Sequence, residues 1–188
     1  MNMYNNKLPN LRYKKTLEFV KKNLPKDEKI LDLGTPNPFT QIMKENGYKA
    51  SNTKGENLDN DFKKINEYDF DCLTSFEIFE HLLAPYNLLK EVSSTDRPIR
   101  LISSVPLSVW FSKAHWNNKN TWARHYHEFE ARQYDWLLEE AGWKIISSEK
   151  WTSPARFAFG LRPLLRFIFP SYYFVHAIKE AKVTTEEE

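Results

Sequence analysis

Residues 29–47, KILDLGTPNPFTQIMKENG, decide the fold. An apolar run, Ile30-Leu31-Asp32-Leu33, stops at Gly34. A tight Thr35-Pro36-Asn37-Pro38 turn follows, and then a helical pattern that places Phe39, Ile42 and Met43 on one face. The stretch therefore reads as strand, loop and helix. Asn37 suits the N-cap, Pro38 suits the first helical position because its missing N–H would be unpaired there anyway, and Gly47 suits a left-handed close. Open α/β sheets bind cofactors at such a turn, at the carboxyl ends of their strands.

Working outward, Leu11–Leu24 spaces Tyr13, Leu17, Val20 and Leu24 by four, three and four, with lysines between them, and predicts an amphipathic helix covering a sheet edge or pocket mouth within residues 1–25. Tyr48–Thr53 predicts a short strand, and Tyr68–Phe76 a buried one through Phe70, Cys72 and Leu73. Pro85 opens a helix to about Ser94, and Ile99–Ser104 is the next strand. Residues 107–128 form a long connection rich in aromatics and histidine, the usual mark of a functional lid. Gln133–Ala141 is helical and closes at Gly142, Trp143–Trp151 is a strand, and Tyr172–Lys179 a last strand. Between those two strands, residues 152–170 make an apolar insertion punctuated by Arg156, Arg162 and Arg166. Its two readings are a cap over the sheet edge and a basic aromatic patch touching a membrane surface or a lipid-linked acceptor. The alternation predicts an α/β fold: a Rossmann-like, doubly wound, mainly parallel sheet with an antiparallel C-terminal strand, in three α/β/α layers. With 188 residues, no repeat and no long linker, a single domain spanning 1–188 is expected.

Composition narrows the function classes. A net charge of +2 is too mild for a nucleic-acid footprint. The single cysteine, Cys72, excludes an intrachain disulfide and reads as a small buried hydrophobe. The opening MNMYNNKLPN lacks the apolar core of a signal peptide, and no stretch approaches a spanning helix, so a cytoplasmic protein is expected. Thirteen Phe, nine Tyr and six Trp against five Gly point to a tightly packed core or an aromatic pocket.

Four pieces, taken in order, resemble the small single-domain class I S-adenosylmethionine-dependent methyltransferases. They are ILDLG for the first strand, FDCLTSFEIFEHL for the family's fourth strand with its acid–histidine step, LISSVP for the fifth, and HYHEFEARQYDWLLEEAGW for the segment closing the site. They cover roughly residues 29–150. The family's histidine-x-x-x-phenylalanine step falls on His125 and Phe129. The resemblance implies S-adenosyl-L-methionine as cofactor and a small-molecule acceptor methylated on oxygen or nitrogen, either a metabolite or a glycan or lipid precursor. It places Asp32, Gly34, Thr35, Pro36 and Asn37 at the methionine end of the cofactor, Thr53 near the ribose and Asp59 near the adenosine. Ser75, Phe76 and Glu77 line the methyl-transfer side, with His81 one turn beyond.

Where the family has glycine-x-glycine-x-glycine, this chain has Gly34-Thr35-Pro36-Asn37-Pro38. The prolines stiffen the loop, crowd a ligand and delete two N–H donors that a dinucleotide pyrophosphate would need. They count against a nicotinamide oxidoreductase more than against a donor without phosphate. A non-catalytic relative serving as a binding module stays open beside the enzyme reading. An oxygen acceptor benefits from a base with a pKa near 7, which makes His81, His125 and His127 the catalytic candidates. His125 and His127 share one face of an extended segment, but even with His115 as a third ligand no acid or cysteine stands at ligand spacing, and no metal is expected.

Overall fold

A computed structural model describes residues 7–111, 119, 123–152 and 161–179, the side chains of 7–10 and 162–164 excepted. Six strands form one sheet: β1 (Lys29–Asp32), β2 (Lys49–Asn52), β3 (Cys72–Phe76), β4 (Arg100–Pro106), β5 (Trp143–Thr152) and β6 (Pro170–Lys179). Their spatial order is β2-β1-β3-β4-β6-β5. The pairs β2/β1, β1/β3 and β3/β4 are parallel, and β6 lies antiparallel between β4 and β5. The helices are α1 (Lys7–Asn23), α2 (Pro38–Glu45), α3 (Pro85–Ser93), α4 (Ala131–Glu140) and α5 (Leu161–Ile168). This is the Rossmann-like, mainly parallel sheet with an antiparallel C-terminal strand that the alternation predicts.

Period-2 side-chain alternation splits the core into two layers. Ile30, Cys72, Ile102 and Phe174 pack with Phe19, Val20 and Leu24 of the α1 segment and Phe39 and Met43 of α2. Their neighbours Leu31, Leu73, Leu101 and Val175 face the other way, against Leu88, Leu89 and Val92 of α3 and Tyr134 and Leu138 of α4. Cys72 is buried in the first layer, as a small hydrophobe should be. The strand expected from Tyr68 starts only at Cys72, and it is the third strand in chain order. Between β2 and β3 the chain runs through turns and a 3₁₀ segment, Phe62–Glu67, so β2 is the sheet edge among the described residues. No described helix is long and apolar enough to cross a membrane.

The antiparallel end carries a pH-sensitive contact. His176 on β6 is 6% exposed, and Arg100 donates to its Nε2 at 2.7 Å while also pairing with Glu28. Burial, with Arg100 adding to it, lowers the His176 pKa to about 4. A folded-state pKa below the unfolded value means that the unfolded chain takes up the proton first. Stability present above pH ~6.5 is therefore lost as pH falls toward 4, by about 2–3 kcal/mol at the limit. His176→Gln should flatten that part of the urea-denaturation stability profile, and an unchanged acid slope would exclude His176 as its source.

Candidate functional site

A cavity of about 900 Å³ opens at the carboxyl ends of β1 and β3, where the strand order reverses on either side of β1. Asp32, Gly34 and Thr35 line one wall, Glu56 and Asp59 the region behind β2, and Glu77 and His81 the end of β3. Helix α1 adds Arg12 and Tyr13, so the predicted cover helix does form part of the pocket wall.

The turn after β1 is built around Asp32. Its carboxylate, 2% exposed, accepts from Asn37 Nδ2 (3.0 Å), Thr40 Oγ1 (2.7 Å), Asn52 Nδ2 (3.1 Å) and Thr74 Oγ1 (2.7 Å). Burial pushes the Asp32 pKa up and these four donors pull it back. Three of these donors converge on Oδ2 and Thr74 takes Oδ1, so Asp32 holds the loop in shape from within the wall. Asn37 is spent in the same way. It is the N-cap, its Oδ1 accepting from the N–H groups of Phe39 (2.9 Å) and Thr40 (3.1 Å), and Pro38 occupies the first helical position. With Gln41 N–H bonded to the Asn37 carbonyl, the start of α2 offers a phosphate no free donor.

Three expected cofactor contacts do not line the cavity. Pro36 is exposed and does not line the cavity, so its ring does not crowd the space as the sequence suggests. Thr53 is turned inward, its hydroxyl accepting from Gly34 N–H (2.9 Å) and donating to Gly34 C=O (3.1 Å), which clamps the loop from behind. Ser75 is fully buried in the central strand. Gly34 itself has φ +92, a conformation that favours glycine, and it lies on the cavity wall.

Behind β2 the lining acid is Glu56, four residues past the strand. It accepts from Lys54 N–H at 2.8 Å and from the Tyr68 hydroxyl. Asp59 also lines the cavity, while its Oδ1 accepts from the N–H groups of Leu83 (2.8 Å) and Ala84 (3.0 Å), tying this wall to the start of α3. Glu56 stands too far along the chain for the strand-end rule, and only the turn at Gly55, with φ +92, brings it back.

At the end of β3, Glu77 has φ 59, the one positive φ outside glycine among the described residues. Such strain concentrates at functional sites. Its Oε1 accepts from Ser104 Oγ at 2.9 Å, Arg12 Nη1 lies 3.9 Å from Oε2, and burial raises its carboxyl to about 7 against the pull of both. Glu80 is 1% exposed and held well above the carboxylate range by burial and by the Glu77 charge. Of the three candidate histidines, only His81 lines the cavity. His125 stands edge-on to it with ring centroids 4.8 Å apart, and His127 stacks on Phe129 at 5.4 Å. Among the described residues, Glu80, His81 and His125 bring one ligand atom each within 4.8 Å of one another. His115 lies outside the described residues. Among the acids behind β2, the sequence favours Asp59 over Glu56, Glu80 is visible only as the acid directly before His81, and Arg12 carries no local signal.

A mainly parallel sheet with this cavity at its switch point is a Rossmann-like, doubly wound α/β fold. A family model described as a methyltransferase domain matches residues 4–148, and the chain belongs to that family, whose cofactor is S-adenosyl-L-methionine. Solved structures agree in fold. The 1,6-didemethyltoxoflavin N1-methyltransferase of Burkholderia thailandensis, seen with its substrate and S-adenosylhomocysteine, superposes with TM-score 0.62 at 18% identity over 90% of this chain and 78% of its own. An S-adenosylmethionine-dependent methyltransferase of Archaeoglobus fulgidus gives 0.63 at 14% over 90% and 94%. The [4+2]-cyclase SpnF gives 0.59 at 14% over 96% and 85%. No curated protein matches the chain in sequence.

Proposed function

We propose that this protein transfers a methyl group from S-adenosyl-L-methionine to an oxygen or nitrogen of a small metabolite or of a glycan or lipid precursor, with residues 1–188 working as one unit. The observation that carries the reading is the cavity joining the Gly34 turn, which runs into an α2 start capped by Asn37, to Glu77 and His81. Gly34 and Thr35 would hold the methionine end, Glu56 the ribose hydroxyls and Asp59 the adenosine side. The bound sulfonium supplies an activated methyl carbon. Methyl transfer from it would leave the electron pair of the broken carbon–sulfur bond on sulfur and require the acceptor to lose one proton. Glu77, with its carboxyl at about 7, is placed to take that proton at neutral pH. His81 orients and activates the acceptor, and His125 supports His81 from outside the cavity.

Calorimetry is expected to show S-adenosylhomocysteine and S-adenosylmethionine binding one per chain, with no heat from NAD. Silence with the first two ligands would sink the enzyme reading and leave a binding module.

A lipid-linked acceptor is supported by an exposed apolar run. Leu161, Phe167 and Ile168 are exposed on and beside α5, and Trp110, Phe111 and Phe169 form a chain of ring contacts at 5.4 and 5.9 Å at the edge of the lid segment. Anionic vesicles should sediment the protein, and Phe167→Glu/Ile168→Glu should leave it in the supernatant. Absence of wild-type sedimentation would restrict the acceptor to soluble molecules.

A further inference from the structure

The corner beyond β3 contains a buried carboxylate with an atom left over. Glu80 is 1% exposed, and its Oε2 has no hydrogen-bond partner among the described residues. A buried polar atom in that position needs a counterpart, and an ion is one of the few groups that can supply it. Two imidazoles stand around it. His81 Nδ1 lies 2.8 Å from the Arg124 carbonyl. A carbonyl only accepts, so Nδ1 carries the proton and Nε2, 3.7 Å from Glu80 Oε1, presents its lone pair. A backbone carbonyl that fixes the tautomer of a histidine is the usual outer partner of a metal ligand. The segment carrying His125 is held to the same residue, because the N–H groups of Tyr126 and His127 both donate to the Glu80 carbonyl, at 2.7 and 3.2 Å.

We infer that Glu80, His81 and His125 form a binding site for one divalent transition-metal cation at the edge of the methyl-transfer cavity. Ligand atoms within 4.8 Å of one another need to close by only about 1 Å to share an ion at ~2.1 Å. Two imidazoles and one carboxylate with no thiolate suit Zn²⁺, Mn²⁺, Fe²⁺ or Co²⁺ better than Mg²⁺ or Ca²⁺, which prefer all-oxygen shells. Since His81 lines the cavity, coordination positions left open there would face the acceptor. The inference rests on the methyl-transfer reading for its purpose and specifies how His81 activates the acceptor: as ligand to a cation that holds an acceptor oxygen.

The test uses the full chain stripped with chelator and titrated with Co²⁺, followed by its visible d–d absorption. One Co²⁺ per chain is expected, with affinity at least about 100-fold weaker in Glu80→Gln and in His125→Ala. Melting curves of the metal-free variants show whether each one folds. A stripped wild-type protein that binds no Co²⁺, or folded variants that bind it within threefold of wild type, would overturn the site. S-adenosylhomocysteine calorimetry on the same stripped sample keeps the two readings apart. Nucleoside binding without Co²⁺ binding removes the metal alone, and Co²⁺ binding without nucleoside binding removes the methyl-transfer reading alone.

Discussion

Asp32→Ala is expected to destabilise the protein by about 3–4 kcal/mol, because it removes the shared acceptor of Asn37 Nδ2, Thr40 Oγ1, Asn52 Nδ2 and Thr74 Oγ1 and leaves the two buried threonine hydroxyls without an acceptor. For a chain of this length that is a fall in melting temperature of about 10 °C. The same substitution releases the N-cap side chain of α2 and the end of β2, so affinity for S-adenosylhomocysteine should fall with stability. Asp32→Asn is the informative companion. It preserves the volume but sets an amide donor against the Asn and Thr donors, and about half the loss should remain. Thermal denaturation monitored by circular dichroism measures both. A change below about 1 kcal/mol for Asp32→Ala would show that the four hydrogen bonds find other partners.

Glu56→Ala should do the opposite, weakening cofactor binding about 10–100-fold while moving the melting temperature by less than about 3 °C. A carboxylate accepting from ribose hydroxyls makes charge-assisted hydrogen bonds of roughly 1.5–3 kcal/mol. Its own supports, Lys54 N–H and the Tyr68 hydroxyl, lie on mostly exposed loops whose loss water can repair. Tyr68→Phe removes one support without touching the acid and should cost only a few-fold. Calorimetric titration with S-adenosylhomocysteine reads all three. Affinity within threefold of wild type in Glu56→Ala would move the ribose contact elsewhere on the wall.

The two expectations differ because two acids of one cavity do different work, and their hydrogen bonds show it. Asp32 is surrounded by donors from its own fold. Glu56 is held from one side and lines the open space on the other. A strand-end rule applied to a linear sequence treats such acids alike. It favours Asp32, which stands at the right place, and passes over Glu56, four residues late. The same limit explains Thr53 and Ser75. Both stand at strand ends, yet strand alternation turns each away from the cavity, Thr53 onto the Gly34 backbone and Ser75 into the sheet.

The histidines show a second limit. His81, His125 and His127 are equivalent candidates by chemistry. Only packing separates them, with His81 lining the cavity, His125 against its ring and His127 stacked on Phe129. Glu80 could be read from EIFEH as part of an acid–histidine step, but its ligand-like role needs a partner 45 positions away. That partner arrives because the returning segment bonds to the Glu80 carbonyl.

What the sequence alone determined was the architecture. Apolar periodicity placed the six described strands and helices α1 to α4, and the Asn37-Pro38 cap and Gly47 close appear where local chemistry demands them. At the start of α2 beyond the two prolines, the N–H groups of Phe39, Thr40 and Gln41 are all bonded within the turn. These are short-range effects, set by neighbours within one turn of helix or one pleat of strand. Which side chains meet across the cavity was decided by tertiary structure, because Arg12, Glu56, Glu77 and the Glu80–His81–His125 corner come from segments far apart in the chain. Their burial and mutual charge exist only once the sheet has brought those segments to its carboxyl edge.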